Sequence, residues 1–351
     1  MSRPPISERL LFLDRAPGEH RGVVLLDGRP ERLLIERSDD AAVQRLGARG
    51  VARVRRIDRG LASAFLDLGE GPEAILPLTG EAASLAEGAA VEVEIAAEAR
   101  RGKGAVARLV GAAEGPPRIL SLAPSLVERL SAFAPGQPVG EGPLARDAAD
   151  NAEDAALAIE HALAGGGSIA IEPTRALTAV DVDLGAARGD PRQAARRTNL
   201  AAIGEGARLL RLKSLGGLIV IDLIGASHDG AALTAALKAA FEPDQPGVSI
   251  GPISRFGVLQ LTVPRRARPV MEILCDADGR ASAATTALRL LRGLEREGAA
   301  DGGARLIGRC APAAAEAATP YIAELTDRIG PRFEIRADPT LRRDQFEIAA
   351  R

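Results

Sequence analysis

The residues best suited to chemistry are three aspartates, Asp181, Asp183 and Asp222, in the stretch 168–228. Residues 177–183 alternate so that Leu177, Ala179, Asp181 and Asp183 share one face of an extended segment and Thr178, Val180 and Val182 the other. That predicts a strand ending in two carboxylates. Gly189-Asp190-Pro191 follows, with Asp190 suited to cap a helix and Pro191 to its first turn. Leu200, Ile203, Ala207 and Leu210 then fall on one helical face, flanked by Arg192, Arg196, Arg208 and Arg211, and Gly216-Gly217 is the expected stop. The unbroken apolar run 218–221 predicts a strand buried on both faces, and it ends in Asp222.

Strand, helix, strand with this connection predicts a right-handed crossover and two parallel strands. If the strands are neighbours, Asp181 and Asp222 finish at the same sheet edge, about 5 Å apart. Two carboxylates that close repel, and a cation between them removes the repulsion. Mg²⁺ suits such a pair, because it takes one or two carboxylates and keeps room for waters and phosphates. It can activate water and neutralise charge building on a phosphoryl group, which makes the residue-level reading a metal-dependent phosphodiester hydrolase. Aspartates at strand ends also cap helices and close turns, and spacing alone leaves that purely structural alternative open.

The segments GGGSIAIEPTRALTAVDVDLG, RRTNLAAIGEGARLLRLKSLGGLIVIDLIG and ISRFGVLQLT resemble, in order and spacing, the catalytic core of the ribonuclease E/G family. The resemblance implies that Asp181 and Asp222 bind the catalytic magnesium. It places Asp183 where the family has a supporting asparagine and Gly225 where the family usually has a further acidic residue, so the surroundings of the metal pair are altered.

The remaining elements must position this core. Residues 8–37 alternate short apolar runs with Pro-Gly and Asp-Gly turns, which predicts a β-meander with Asp27-Gly28 as a hairpin turn. Residues 38–109 carry several short strands at regular spacing, which suggests a small barrel. Basic residues and a Phe in its strands suit an OB-fold that binds single-stranded nucleic acid. ASAFLDLG, AILPL and RRGKGA resemble the inserted S1 domain of the same family, which implies that Phe65 and Lys103 contact RNA; Ile75 stands where a second stacking phenylalanine is expected. An ordinary barrel aromatic is the plainer account of Phe65. Residues 111–167 are proline-rich and then acidic, with a helical stretch expected over 146–164. No counterpart of the family's 5′-monophosphate-sensing subdomain is found there, so internal entry into RNA is expected.

After the core comes a Pro/Gly-rich loop over 242–251, and 253–263 reads as a strand that includes Ser254, Arg255 and Phe256. Arg255 or Arg265 suits a phosphate contact, a surface ion pair being the alternative for each. The family usually carries a C-P-x-C zinc motif near Cys275, where this chain has Cys275-Asp276-Ala277-Asp278-Gly279. Structural zinc wants four N or S ligands, so no zinc is expected and Cys275 reads as a buried apolar residue. Residues 282–351 read as a small α/β domain with a helix over 287–297, a strand near Leu306, a helix over 313–329, and strands near Phe333 and Phe346.

Composition bounds the partners. The 351 residues carry a net charge of only −2, so a polyanion would need a local basic groove; Arg53, Arg55, Arg56 and Arg59 form one cluster, Arg100, Arg101 and Lys103 a second, Arg265, Arg266 and Arg268 a third. Aromatics make up 2% of the chain and Trp is absent, which confines base stacking to a few Phe positions. Cys275 and Cys310 have no disulfide or C-x-x-C spacing. Residues 1–13 lack a long apolar core and no run approaches a membrane span, so a cytoplasmic protein with no membrane partner is expected. Phosphate-loop, nucleophile-elbow and H-E-x-x-H motifs are absent; of the scattered histidines His20, His161 and His228, only His228 falls near the core.

The expected architecture is a multidomain α+β and α/β chain. Residues 1–37 supply the first strands of an RNase H-like platform, 38–110 an inserted OB-fold (S1-type) barrel, 111–167 the shortened rest of the platform and a linker. Residues 168–270 form an α/β (DNase I-like) catalytic subdomain and 271–351 a small C-terminal α/β domain. The expected function is Mg²⁺-dependent endonucleolytic cleavage of single-stranded RNA in processing or decay, with Asp181 and Asp222 on the metal, Asp183 supporting, and Phe65, Lys103, Arg255, Phe256 and Arg265 on RNA. A homodimer through the C-terminal region, without a zinc link, is the expected assembly. Two alternatives are a catalytically degenerate RNA-binding homologue and an unrelated metal-dependent enzyme acting on a small phosphate ester.

Overall fold

The computed structural model describes residues 8–100, 102–185, 190–225 and 230–350. Arg101, Gly189 and His228 lie outside the described residues.

The chain opens with an antiparallel meander, β1 (Arg9–Ala16), β2 (Glu19–Leu26) and β3 (Arg29–Arg37). Asp27 and Gly28 both have positive φ, 51° and 77°, as a two-residue hairpin turn matching strand twist requires. The chain then forms a barrel from β4 (Arg49–Asp58), β5 (Ser63–Asp67), β6 (Ala74–Pro77), β7 (Ala90–Ala97) and β8 (Val106–Ala112). The order is β5-β6-β8-β7-β4, and a β4–β5 pairing closes it around Val54, Leu66, Leu76, Val93 and Ile95. A closed five-stranded barrel with one parallel pair, β6 and β8, is consistent with an OB-fold. The short β9 (Arg118–Ser121) pairs with β4 outside this ring.

Two helices follow, α1 (Leu126–Phe133) and α2 (Pro143–Leu157), with β10 (Val139–Gly140) between them pairing parallel to β1. Ser125 and Glu128 form a reciprocal capping box on α1, and Pro143 opens α2. The barrel is thus spliced in sequence between β3 and β10 of one four-stranded sheet, order β10-β1-β2-β3. Leu11, Leu13 and Val24 pack on α1, while Val23, Leu33 and Ile35 pack with α2 into the main core. The expected helix over 146–164 ends sooner, at Leu157. Ala158 is extended, Lys213 donates to the carbonyls of Ala156 (2.9 Å) and Ala158, and the chain continues into β11 (Glu160–Ala162).

A six-stranded sheet has the order β11-β12-β13-β14-β16-β15, adding β12 (Ser168–Pro173), β13 (Thr178–Asp183), β14 (Gly217–Asp222), β15 (Ser249–Ile250) and β16 (Val258–Val263). Between β13 and β14 runs α3 (Pro191–Leu212), and α4 (Gly230–Ala240) follows β14. Alternate residues Ile169, Ile171, Val180, Val182, Ile219, Ile221, Leu259 and Leu261 bury one face in a core shared with α3 and α4. Each such side chain contributes roughly 1.5–3 kcal/mol on burial. The other face is open, which corrects one expectation: Leu218 is 39% exposed, so β14 is buried on one side only. The helix also stops before Gly216-Gly217, at Leu212. Lys213 caps it, Ser214 turns with φ 54°, and Gly217 already begins the strand.

The remaining residues form α5 (Val270–Leu274) and a C-terminal unit. The latter comprises α6 (Ala283–Ala300), β17 (Leu306–Cys310), α7 (Pro312–Ala318), α8 (Ile322–Ile329), β18 (Phe333–Ala337) and β19 (Phe346–Ala350). The sheet, order β18-β17-β19, packs on the three helices through Leu290, Leu294, Leu306, Cys310 and Leu325. The single helix expected over 313–329 is two, separated by a 3₁₀ turn at Thr319–Tyr321, because Pro320 cannot donate to the helical ladder. Cys275 is buried. Asp278 is paired with Arg343 at 2.8 Å.

Candidate carboxylate site on the open sheet face

The crossover from β13 through α3 to β14 places the two parallel strands side by side in the register Thr178↔Ile219, Val180↔Ile221 and Asp181↔Asp222. The two aspartates are therefore direct neighbours at the usual strand spacing of about 4.8 Å. Val180, Val182 and Ile221 turn into the core, which leaves Asp181, Asp183 and Asp222 exposed on the open face. Neither Asp181 nor Asp222 has a hydrogen bond or ion pair among the described residues. The same row extends through Ala170 and Glu160 on one side and Val258 on the other, and Glu172 sits one row back beside Ala179.

Asp183 is engaged differently. Its Oδ1 accepts from the Gly185 amide at 2.5 Å, closing the turn that leaves β13. That turn is pressed against the glycine tract before β12: a Cβ on Gly167 would lie 2.4 Å from the Asp183 carbonyl oxygen, and Gly167 has φ 85°. Only glycine fits there.

The segment after Asp222 is held by Asn199, a residue that the sequence reading passed over. Asn199 is buried on α3; its Nδ2 donates to the Ile224 carbonyl at 2.7 Å and its Oδ1 accepts from the Ile224 amide at 3.0 Å. Its signal was a polar residue within the apolar stripe of α3. Asp190 caps that helix as expected, accepting from the Gln193 amide at 3.0 Å.

Arg255 and Phe256 lie in the 251–257 loop, not in a strand, because Ser254 closes a tight turn there: its Oγ accepts from the amides of Phe256 and Val258. Val258 is the register partner of Asp222, so Phe256 sits two residues from the carboxylate row, with its ring 76% exposed and the Arg255 guanidinium 4.7 Å from its centre. Arg265 is not brought to that row. Its Nε donates to the Gly216 carbonyl at 2.8 Å, at the opposite end of β14, roughly 17 Å along the strand from Asp222.

On the barrel, Phe65 is half-buried on the outer face, in one row with Arg56, Ile75 and Val106, and the Arg56 guanidinium stacks 3.9 Å from its ring centre. Lys103 is exposed in the turn joining β7 to β8. Much of the basic charge predicted nearby is already paired: Arg55 with Asp67, Arg56 with Asp58, and Arg53 with the carbonyls of Gly88 and Gly115.

The donor set fits one hard cation. Two adjacent exposed carboxylates are what Mg²⁺ takes from a protein before completing its shell with water and substrate oxygens. Among the described residues no group of three or more His, Cys, Asp or Glu could hold a metal.

Residues 136–266 match the Ribonuclease E/G family. The ribonuclease E of Escherichia coli K12 is 42% identical over 116 residues, 32% of this chain and 11% of that protein. The ribonuclease G of Salmonella typhimurium is 28% identical over 201 residues, 53% of this chain and 41% of that protein. The chain thus spans less than half the length of these curated relatives. The similarity read from the motifs is shown for the middle of the chain, where the carboxylate row lies.

Proposed function

We propose that this chain, similar through its centre to the ribonuclease E/G family, is a magnesium-dependent endoribonuclease that cuts single-stranded RNA internally. The observation that carries this reading is the register pairing of Asp181 with Asp222 on an open sheet face. A magnesium ion bound there would activate water and neutralise charge on the scissile phosphoryl group, leaving 5′-phosphate and 3′-hydroxyl ends. The two carboxylates would hold that ion, and Asp183 holds the turn beside them. Phe256 offers an exposed ring for a base next to the row, and Arg255 a guanidinium for a flanking phosphate. Phe65 and Lys103 hold RNA on the barrel, and Arg265 contacts it further along the strand.

The same reading assigns an RNase H-like platform to 1–37 and 111–167, an S1-type OB-fold to 38–110, a DNase I-like subdomain to 168–270 and a small domain to 271–351. The position of the barrel between β3 and β10 supports the insertion. A cytoplasmic role in RNA processing or decay, as a homodimer built through the C-terminal region without zinc, completes the proposal. No helix among the described residues is long and apolar enough to cross a membrane.

A second reading, an RNA-binding homologue that no longer cuts, is favoured by the capture of the Asp183 carboxylate in its own turn. Cleavage of a 5′-labelled A/U-rich RNA with a 5′-hydroxyl or 5′-monophosphate, in Mg²⁺ or EDTA, separates the two. Mg²⁺-dependent cutting of both RNAs at similar rates, lost in Asp222→Ala, supports the nuclease. RNA that is bound yet intact under every condition supports the second reading.

A further inference from the structure

At the far end of β16 from the carboxylate row, a cavity of about 370 Å³ opens where β3, α1, the end of α3, the 263–268 segment and the barrel meet. Its walls are mostly apolar, with Leu33, Phe133, Leu215 and Phe241 among them, yet five guanidiniums also line it: Arg32, Arg129, Arg211, Arg266 and Arg268. Only two carboxylates, Glu98 and Asp244, join the lining. Behind the wall, Arg129 is paired with Glu36 at 3.0 Å and Arg268 with Asp40 at 3.2 Å. Asp244 is shared, taking Arg211 at 2.7 Å and Arg32 at 3.4 Å.

Arg32 and Arg266 have the longest polar contacts of the five, 3.4 Å to Asp244 and 3.3 Å to the Pro246 carbonyl. Arg32 Nε is buried with no hydrogen-bond partner, although its guanidinium lies 4.4 Å from the centre of the Phe133 ring. Arg266 is exposed and, among the described residues, its guanidinium donates only to the Pro246 carbonyl, at 3.3 Å. Arg32 is held below its usual range first by burial and further by Arg211, against the opposing pull of Asp244 and Glu31. Glu31, which takes Arg211 at 3.1 Å, with Glu36, Asp40, Asp244 and Glu98, matches the five guanidiniums in number, but Arg266 has no ion pair among the described residues. A buried guanidinium donor left unmade is costly, and a phosphate is the partner whose geometry a guanidinium fork matches.

We propose that this cavity binds a small phosphate monoester with an apolar or aromatic body, of mononucleotide size, its phosphate held by Arg32 and Arg266 and its body against Phe133 and Leu215. The volume lies in the range of small-molecule sites, and the mixed wall demands both an anion and an organic moiety. The site is separate from the carboxylate row and does not rest on the nuclease reading.

The test is calorimetric titration of the full chain with AMP, adenosine and inorganic phosphate in EDTA. AMP should bind saturably, with adenosine and inorganic phosphate each at least about 10-fold weaker, since each lacks one half of the recognition. Arg266→Gln, a surface change, should weaken AMP about 10-fold, Arg32→Met should do the same if the variant folds, and Asp222→Ala should leave the affinity unchanged. No saturable AMP binding at millimolar concentration overturns the proposal. So does binding that Arg266→Gln spares and Asp222→Ala removes, because the nucleotide would then sit on the carboxylate row. Inorganic phosphate binding as tightly as AMP overturns the organic half of the assignment.

Discussion

Asn199→Ala tests whether the chain after Asp222 is positioned from α3. The asparagine satisfies both backbone groups of Ile224, at 2.7 and 3.0 Å, from a site only 2% exposed. Each buried backbone group left without a partner costs about 1–3 kcal/mol. Ile224 is half-buried, so water can reach part of what is vacated, and the lower end of the sum applies: about 2–3 kcal/mol lost in urea unfolding, with the slope unchanged. A purely structural loss would stop there. The positioning role predicts in addition that the Mg²⁺ concentration giving half-maximal cleavage rises, because Asp222 sits two residues before the released segment. Asn199→Asp keeps the acceptor but sets a carboxylate against the Ile224 carbonyl, and should be at least as damaging. A stability loss below about 0.5 kcal/mol, the scale of ordinary surface changes, with an unaltered Mg²⁺ requirement would refute the reasoning.

Phe256→Ala should weaken single-stranded RNA by the value of one stacked base, about 1–3 kcal/mol or roughly 5- to 150-fold, without moving the unfolding midpoint, since the ring is exposed; equal RNA affinity in filter binding would remove Phe256 from the interface. Phe65→Ala should weaken the same RNA by a comparable factor, and Arg56→Gln by less, because Arg56 backs the ring on one face. Burial alone would raise the Glu153 carboxyl, but Arg292, Arg289 and Arg21 outweigh it and hold it below the ordinary range. The stabilisation is full above about pH 4.5 and is lost as pH falls through the depressed folded value, so Glu153→Gln should flatten the decline of stability below pH 4.5; an unchanged acid profile would show that Glu153 does not drive it.

The parts legible in the sequence were those written in local chemistry. Asp190-Pro191 announced the start of α3 and Asp27-Gly28 the hairpin, because a cap and a positive-φ turn depend on a few adjacent residues. Asp181 and Asp222 could be matched because an alternating segment and an apolar run, each ending in an aspartate, flank a single helical stretch. What depended on distant neighbours was hidden. The run 218–221 reads as buried on both faces, yet one side of the sheet is uncovered, and only the tertiary arrangement decides that. Arg255 and Phe256 look strand-like by composition, but the Ser254 hydroxyl captures two amides and makes a loop. Arg265 stands near the core in sequence but at the opposite end of β14 from Asp222 in space, since an antiparallel return carries Val258 to Asp222 and Val263 to Gly217.

The junction between the C-terminal unit and the first sheet shows the same principle in charge rather than shape. Arg292 of α6 reaches Glu19 of β2 at 2.5 Å and Glu153 of α2 at 3.4 Å, while Arg289 takes Glu153 at 2.7 Å and Arg37 of β3 binds Glu19 and Thr285, each at 2.8 Å. Arg21, fully buried, gathers Asp14, Asp150 and Glu153 on the same side. Desolvating so many charges leaves little net stability, because the Coulombic gain is largely spent against lost hydration. Breaking one partner is another matter, since it strands a charge whose neighbours cannot rehydrate it. A junction of this kind contributes orientation more than strength: a shifted docking of α6 would leave several ions unpaired at once, whereas an apolar seam would tolerate a slide. Glu19 and Glu153 are unremarkable letters in an alternating strand and an acidic helix, and only their convergence on α6 gives them that role.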